Sequence, residues 1–440
     1  MKKFGLFISD IAVLYGSLLL ALYIRYGGSA DFNRYYELHL VPFGIIFVLW
    51  LIIFYIANLY EPKALRNNLD FYSSLFQSVF IASAISVIFF YLVPFFGITP
   101  KTNLFIFIIL FTGAETFFRY LWNKIFETKF KKSVLIVGLD QYTSELAEFI
   151  KDHPQLGYDL KQIVDIEAGN TREIAELVYR GEVDTVIVTP MAYKYPRIIN
   201  AFYRSLVNKI SLYNSVSFYE KLTGRVLLGA INQIWFLENL GGAKKKSYEL
   251  FKRSADTVLS VIMGTISLVF YPFIILAVKL SSPGPVFYRQ ARVGQTGKTF
   301  EIIKFRTMVR DAERQTGAVW AADNDPRITT VGRFLRKTRL DEIPQLWNIF
   351  KGDMSFVGPR AERPEFQKLL QDNVAFYEER YLIKPGLTGW AQINFRYGSS
   401  IQDAEEKLKY DLYYIKNRSP ILDLGIILKT IRIALQQAGK

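Results

Sequence analysis

Apolar positions run in four blocks, at residues 5–24, 42–60, 75–96 and 104–122, each 19–22 residues long. A helix rises ~1.5 Å per residue and the hydrocarbon core of a bilayer is ~30 Å thick, so each block matches one crossing. A soluble four-helix bundle would carry polar stripes that these blocks lack. The first block is too long for a signal peptide and has no small-residue cleavage site after it. Lys2, Lys3, Lys63, Arg66, Lys124, Lys129, Lys131 and Lys132 flank one set of block ends, and Arg25, Arg34 and Lys101 the other. The positive-inside rule then places both ends of the bundle in the cytoplasm. Glu115 and Arg119 stand four apart inside the fourth block, where charge is costly unless paired, which predicts an intrahelical or interhelical ion pair.

The pattern changes after residue 130. Ser133-Val-Leu-Ile-Val-Gly138 reads as a strand entering a turn, 143–151 as a helix and 162–165 as a second strand. A further strand at 184–189, a helix over 196–207 and a strand near 209–212 follow. Strands and helices alternating at this spacing predict a parallel, Rossmann-like sheet. A dinucleotide site is not predicted with it. The first turn, Gly138-Leu-Asp140-Gln-Tyr-Thr143, lacks the later glycines of G-x-G-x-x-G, and Asp140 brings negative charge where a pyrophosphate would approach. The module reads as structural or regulatory.

A fifth apolar stretch, 257–278, contains Pro272 and differs from the others in its flanks. Lys244, Lys245, Lys246, Lys252 and Arg253 precede it, and Lys279, Arg289 and Arg292 follow. Positive charge at both ends favours a helix over 254–281 that dips into the membrane and returns, with the proline as its kink. A spanning helix would put everything after it outside, away from cytosolic nucleotides. The last segment, 421–435, combines Ile426, Ile427, Ile431 and Leu435 with Lys429 and Arg432, which suits a basic amphipathic helix on lipid or one facing the core. Residues 315–330 have turn character and read as a mobile loop able to act as a lid.

Composition sharpens this division. Of 440 residues, 51% are hydrophobic, and 54 basic against 40 acidic side chains leave a charge of +14. Residues 1–130 carry +3, residues 131–243 carry −1 and residues 244–440 carry +12, so the last third is built to meet something anionic. The charge comes without a repeat, zinc site or recognition helix, which argues against nucleic acid. There is no cysteine, and the two histidines, His39 and His153, lie far apart. The absent cysteine removes disulfides and thiol nucleophiles, the two distant histidines argue against a histidine-based zinc or triad site, and any metal should be a hard cation on oxygen ligands.

The densest chemistry lies between residues 333 and 360. Asp341 and Glu342 open a predicted helix over 341–351 with Pro344 in its first turn, a position where acidic residues commonly serve as caps. Here Arg333, Arg336, Lys337, Arg339 and Arg360 crowd the pair. A carboxylate so placed can attack phosphorus while its neighbour holds Mg²⁺ against a pyrophosphate and the arginines neutralise phosphoryl oxygens.

Around this pair, Lys252-Arg253-x-x-Asp256, Pro285-Val-Phe, Lys304-Phe-Arg306-Thr-Met308 and Leu340-Asp341-Glu342 occur in order. Gln345-Leu-x-Asn348, Lys351-Gly-Asp-Met-Ser-Phe-Val-Gly-Pro-Arg360, Lys384-Pro-Gly-Leu-Thr-Gly-Trp-Ala-Gln392 and Tyr410-Asp411-Leu-Tyr-Tyr414-x-Lys416-Asn417 continue the series. Residues 251–428 thus resemble the bacterial sugar transferases, the monotopic polyprenyl-phosphate phosphoglycosyl transferases. With the apolar blocks and the glycine-poor module, nearly the whole chain is similar to the long form of that family. The fold this implies is membrane α plus α/β. It has a four-helix transmembrane bundle over 1–130, a Rossmann-like parallel-sheet module over 131–243 and a mostly helical catalytic domain over 244–440 containing the re-entrant helix.

The resemblance implies a ping-pong reaction in which Asp341 takes a sugar phosphate from a UDP-sugar, releases UMP and passes it to undecaprenyl phosphate. By position, Glu342 would bind Mg²⁺, and Lys304, Arg306, Arg336, Arg339 and Arg360 would meet phosphate. Lys384 and Asp411 fall in further substrate-binding motifs, although Lys384 stands where some relatives have arginine, which loses a bidentate fork. UDP-glucose or UDP-galactose, the bacterial inner membrane with a cytoplasmic active site, a homodimer, and a role in exopolysaccharide, capsule or O-antigen synthesis are the corresponding expectations. Rival classes are a membrane-bound nucleotide-sugar oxidoreductase or dehydratase using the middle module, and a non-catalytic scaffold or transporter, which leaves the basic third unexplained.

Overall fold

The computed structural model describes residues 2–93, 96, 101–128, 131–140, 142–166, 174, 176–177, 180–204, 210–240, 246–310, 312, 325–395, 398 and 400–435. Its contacts divide the chain into two compact units, Met1–Phe218 and Tyr219–Lys440.

The first unit opens with four long helices: α1 (Lys2–Tyr26), α2 (Phe32–Ile56), α3 (Leu69–Leu92) and α4 (Lys101–Thr128). Each is long and apolar enough to cross a membrane. Helix α1 packs on α2 and α4, and α2 on α3. Aromatic rings fill the interior: Phe43, Phe47, Trp50, Phe54, Phe107 and Phe111 are buried together. Trp50 meets Phe111 edge-on at 5.0 Å, a geometry favoured by the ring quadrupoles. Phe80 and Phe117 point outward, as apolar side chains do when the surroundings are lipid.

The expected ion pair forms in both senses. Arg119 Nε lies 2.6 Å from Glu115 Oε1 one helical turn away, and its NH2 lies 2.6 Å from Asp10 Oδ2 on α1. The Arg119 NH1 group donates to the Leu59 carbonyl at 2.9 Å, and the Tyr60 hydroxyl donates to Asp10 at 2.6 Å.

The remainder of the first unit is the parallel sheet, built from β1 (Lys132–Val137), β2 (Tyr158–Val164), β3 (Thr185–Val188) and β4 (Ser211–Asn214) in the order β2-β1-β3-β4. The central strands β1 and β3 are the apolar runs that the pattern marks. The edge strands depart from it, because only one flank of each is covered. Thus β2 starts at Tyr158, four residues before the expected position, with Lys161 exposed and Asp159 half-buried, and β4 extends to Asn214. Helix α5 (Thr143–Asp152) packs Leu146, Ala147 and Ile150 inward, and α6 (Pro196–Arg204) follows β3.

The turn after β1 explains the missing dinucleotide signature. Asp140 Oδ1 accepts from the Tyr142 amide at 3.0 Å, the Thr143 amide at 2.8 Å and the Thr143 hydroxyl at 2.8 Å. The carboxylate therefore occupies amides at the start of α5 where a pyrophosphate would sit. Gly138 adopts φ +97°, and a Cβ there would lie 2.0 Å from Thr189 Oγ1.

The division between units falls within helix α7 (Ser215–Thr223). Residues 219–240, grouped by sequence with the module, lie in the second unit. Trp390 Nε1 donates to the Gly224 carbonyl at 2.7 Å, the Val226 amide donates to the Lys409 carbonyl at 2.9 Å, and Lys416 pairs with Glu220 at 2.6 Å. Helix α8 (Gln233–Leu240) completes this strap.

The apolar stretch of the second unit forms α9 (Lys246–Ser267), a 3₁₀ turn over Leu268–Phe270 and α10 (Tyr271–Ser281). Pro272 lies in the first turn of α10, where its missing N–H breaks no helical bond, so the interruption is the turn before it. The start of α9 is bolted to protein: Arg253 donates to the Ile349 and Phe350 carbonyls at 2.8 and 2.7 Å, and Asp256 accepts from the Phe356 amide at 3.1 Å. Beyond it come the antiparallel pair β5 (Phe287–Val293) and β6 (Thr299–Phe305), then α11 (Thr330–Thr338), α12 (Leu346–Lys351) and β7 (Ser355–Val357). Helix α13 (Pro364–Asn373), β8 (Gly386–Thr388) parallel to β7, α14 (Trp390–Asn394), α15 (Ile401–Asn417) and α16 (Pro420–Leu435) complete the unit. Helix α16 faces both ways: Ile426 is buried and Thr430 Oγ1 meets Thr388 Oγ1 at 2.6 Å, while Ile421 and Leu424 are exposed. Of the expected lid, residues 315–330, the part from 315 to 324 lies outside the described residues.

Candidate active site

Four separate segments bring the acidic pair and its cations together. Helix α11 ends at Thr338, and Arg339 reverses the chain in a left-handed conformation, φ +59°. Asp341 and Glu342 then lie in a six-residue 3₁₀ turn, Leu340–Gln345, ahead of α12, where a single helix over 341–351 was expected. Such a short turn offers no sustained helix dipole, so the positive field comes from side chains.

Glu342 is the hub of that field. Lys304 Nζ, at the end of β6, lies 2.7 Å from Glu342 Oε1. Arg360 NH2 is 3.6 Å from the same oxygen, and Arg339 NH1 is 3.6 Å from Oε2. Burial opposes the charge on Glu342, but Lys304, Arg360 and Arg339 overcome it and hold the carboxyl well below its usual range.

Asp341 is buried at 6% exposure, and its Oδ1 has no hydrogen-bond partner. Burial first, and the Glu342 charge second, push its carboxyl up to about 6, against the pull of Lys304, Arg336 and Arg339. Arg336 is held beside it by a 2.8 Å bond from Nε to Thr307 Oγ1. Gly332 makes this possible, because a Cβ there would sit 1.9 Å from the Thr307 carbonyl oxygen. Adjacent carboxyls with divergent protonation mark a site able to separate nucleophilic and electrostatic roles.

The predicted residues divide into two groups. Lys304, Arg336, Arg339, Arg360, Asp341 and Glu342 converge. Arg306 instead donates to the carbonyls of Ser282 at 2.6 Å, Pro283 at 3.2 Å and Val278 at 3.3 Å, clamping the end of α10. Lys384 is depressed by burial and then by Arg253, with Asp256 opposing, so its electrical neighbours are at the root of α9. Asp411 is 2% exposed and pairs with Arg380 at 2.8 Å. Sequence reasoning passed over Arg380, read Arg292 only as a basic flank of the apolar stretch, and missed the supporting role of Asn348, whose Nδ2 donates to the Glu301 carbonyl at 2.7 Å and whose Oδ1 accepts from the Ile303 amide at 3.2 Å. Those two bonds hold the strand that carries Lys304. An isolated arginine in a strand or a 3₁₀ turn has no local pattern that announces such a task.

Among the described residues no three acidic or imidazole groups converge as a metal cage. Glu342 and Asp341 could instead supply one or two carboxylate ligands to an Mg²⁺ held mainly by other donors. Such ions commonly take one or two carboxylates and complete their shell with phosphate and water, and the bare Asp341 Oδ1 lies next to Glu342.

The segment that carries this buried acidic pair falls within a recognised class of proteins. Residues 247–437 match the family described as bacterial sugar transferase. Over 241 residues the chain is 40% identical to the UDP-N-acetylgalactosamine-undecaprenyl-phosphate N-acetylgalactosaminephosphotransferase of Aeromonas hydrophila, covering 54% of this chain and 55% of the relative. Over 184 residues it is 41% identical to the UDP-glucose:undecaprenyl-phosphate glucose-1-phosphate transferase of Escherichia coli (strain K12), covering 41% of this chain and 39% of the relative. Over 317 residues it is 31% identical to the protein of that same description from Klebsiella pneumoniae, covering 68% of this chain and 67% of the relative. The chain belongs to the bacterial sugar transferase family. Its matches to the first two of these relatives span about half of their length or less.

Proposed function

We propose that the protein is a membrane-bound phosphoglycosyl transferase that moves a sugar phosphate from a UDP-sugar to undecaprenyl phosphate. The observation that carries this reading is the bare Asp341 oxygen beside a Glu342 gripped by Lys304, Arg339 and Arg360. Asp341 attacks the β-phosphorus. A carboxylate–phosphorus bond forms, the bond from that phosphorus to the bridging oxygen breaks, and UMP leaves with the electron pair. An oxygen of undecaprenyl phosphate then attacks the same phosphorus and frees Asp341, giving undecaprenyl-diphosphate-sugar. Arg336, Arg339 and Arg360 neutralise the phosphate oxygens as charge moves to the leaving group. Mg²⁺ carried by the diphosphate, with Glu342 as its protein ligand, would supply further neutralisation.

Four crossings by α1–α4 and a re-entrant α9–α10 would place this chemistry on the cytoplasmic face of the inner membrane, where UDP-sugars and the lipid phosphate meet. The two basic flanks of α9–α10 support that topology. The sugar is proposed as a hexose, glucose or galactose, and the product as the first lipid-linked intermediate of an exopolysaccharide, capsule or O-antigen. The names of the relatives carry N-acetylgalactosamine as well as glucose, so the sugar is the part to be screened. An oxidoreductase reading draws no support from the module, where Asp140 fills the amides that a dinucleotide would need.

The test is UMP release from a panel of UDP-sugars by the full-length protein with undecaprenyl phosphate and Mg²⁺. Wild type should release UMP with at least one sugar and retain a covalent phosphosugar when the lipid is withheld. An Asp341→Asn variant that still forms lipid-linked product at the wild-type rate would overturn the nucleophile.

A further inference from the structure

We propose that Arg380, backed by Asp411, is a positioning residue that fixes the backbone from which Arg360 reaches the reaction centre. This rests on the reading above, in which Arg360 meets substrate phosphate.

The loop after β7 is held at four successive carbonyls, each by a donor from elsewhere in the second unit. The Pro359 carbonyl accepts from the Gly386 amide at 2.8 Å, and the Arg360 carbonyl accepts from Arg380 NH2 at 3.1 Å. The Ala361 carbonyl accepts from Arg292 NH1 at 3.0 Å, and the Glu362 carbonyl accepts from the Val293 amide at 2.9 Å. Two of the four donors are backbone amides of neighbouring strands. The other two are guanidinium groups, and the one at residue 360 bonds the residue whose own side chain faces Glu342.

Arg380 is engaged through both terminal nitrogens, while its buried Nε has no hydrogen-bond partner. It is 4% exposed, pairs with Asp411 Oδ2 at 2.8 Å, approaches Glu362 Oε1 at 3.7 Å and donates to the Tyr377 hydroxyl. Asp411 is itself 2% exposed, and burial raises its carboxyl to about 6 against the pull of Arg380. A buried ion pair is poor value for stability alone, since apolar side chains of similar volume often serve as well. A guanidinium does what they cannot: its planar fork reaches a carboxylate and a backbone carbonyl together. The motif residue Asp411 thus serves the substrate through two intermediaries, Arg380 and then Arg360.

The test is a double-mutant cycle in the full-length protein, reading kcat/KM for UDP-sugar by UMP release. Arg360→Met and Arg380→Lys are each expected to lower it on the order of 10²-fold, the loss typical of a displaced positioning group. If Arg380 acts through Arg360, the double variant is no worse than Arg360→Met alone. Losses that multiply, or a wild-type value for Arg380→Lys, overturn the proposal. Where thermal unfolding shows Arg380→Lys to be misfolded, Asp411→Asn takes its place, because it keeps an acceptor for Arg380. Its loss should also vanish in the Arg360→Met background, whereas a multiplying loss would show Asp411 acting on its own. A wild-type protein that releases no UMP with any sugar overturns the reaction itself, and is distinguishable from an active wild type with multiplying losses.

Discussion

Lys304 Nζ lies 2.7 Å from Glu342 Oε1, so the strongest single contact of the acidic pair is made by a lysine from a strand 38 positions earlier. That contact keeps Glu342 ionised and leaves its neighbour Asp341 to bear the consequence, a raised carboxyl with one bare oxygen.

Asp341→Asn is expected to abolish UMP release and yet stabilise the protein. A carboxyl raised in the folded state from 3.8 to about 6 binds its proton more tightly there than in the unfolded chain. Its favourable contribution is full below pH ~4 and is lost as pH rises through ~6, leaving a cost of up to roughly 3 kcal/mol at pH 7. The asparagine should recover about 1–3 kcal/mol of that cost, read by thermal unfolding in detergent at pH 7. The same gain at pH 4 would contradict the assignment.

The rate of covalent phosphosugar formation should fall on the acid side with an apparent midpoint near 6, as Asp341 becomes protonated. Lys304→Met removes a positive charge that pulls this group down. Its residual activity should therefore show the acid limb displaced to higher pH, measured as a pH profile of single-turnover UMP release.

Asn348 braces β6 through two bonds while 2% exposed. Asn348→Leu leaves the Glu301 carbonyl and Ile303 amide without that partner, at a cost of about 1–3 kcal/mol. Lys304 should lose its register with Glu342, so kcat/KM for UDP-sugar falls alongside stability. A stable, fully active variant would show the brace to be dispensable.

In the bundle, Arg119→Met strands the buried carboxylates of Asp10 and Glu115. Removing one partner of a buried ionic cluster typically costs about 3–5 kcal/mol. Replacing all three with apolar residues of similar volume should restore most of that loss, as followed by thermal unfolding.

The apolar helices, the central strands of the sheet and the ordered motifs around Asp341 were legible in the sequence because each is local. A run of apolar residues, a period of two or a capped turn is written within some twenty positions. The edge strands were less legible, since half-exposed strands carry no apolar run. Asp10, buried against a guanidinium 109 positions away, could not have been read at all.

Tertiary structure alone decided which basic groups serve the acidic pair. Lys304 and Arg306 are two apart, and in a continuing strand they would share a face. Strand β6 ends at Phe305, so Arg306 turns to the carbonyls of α10 while Lys304 reaches Glu342. Arg380 and Asp411 found each other across 31 positions, and Arg380 found the Arg360 carbonyl across 20. Residue type and spacing determined the long apolar helices, the central strands of the sheet and the acidic pair. Chain reversal and long-range packing determined which charges meet, because a guanidinium answers to the nearest acceptors in space.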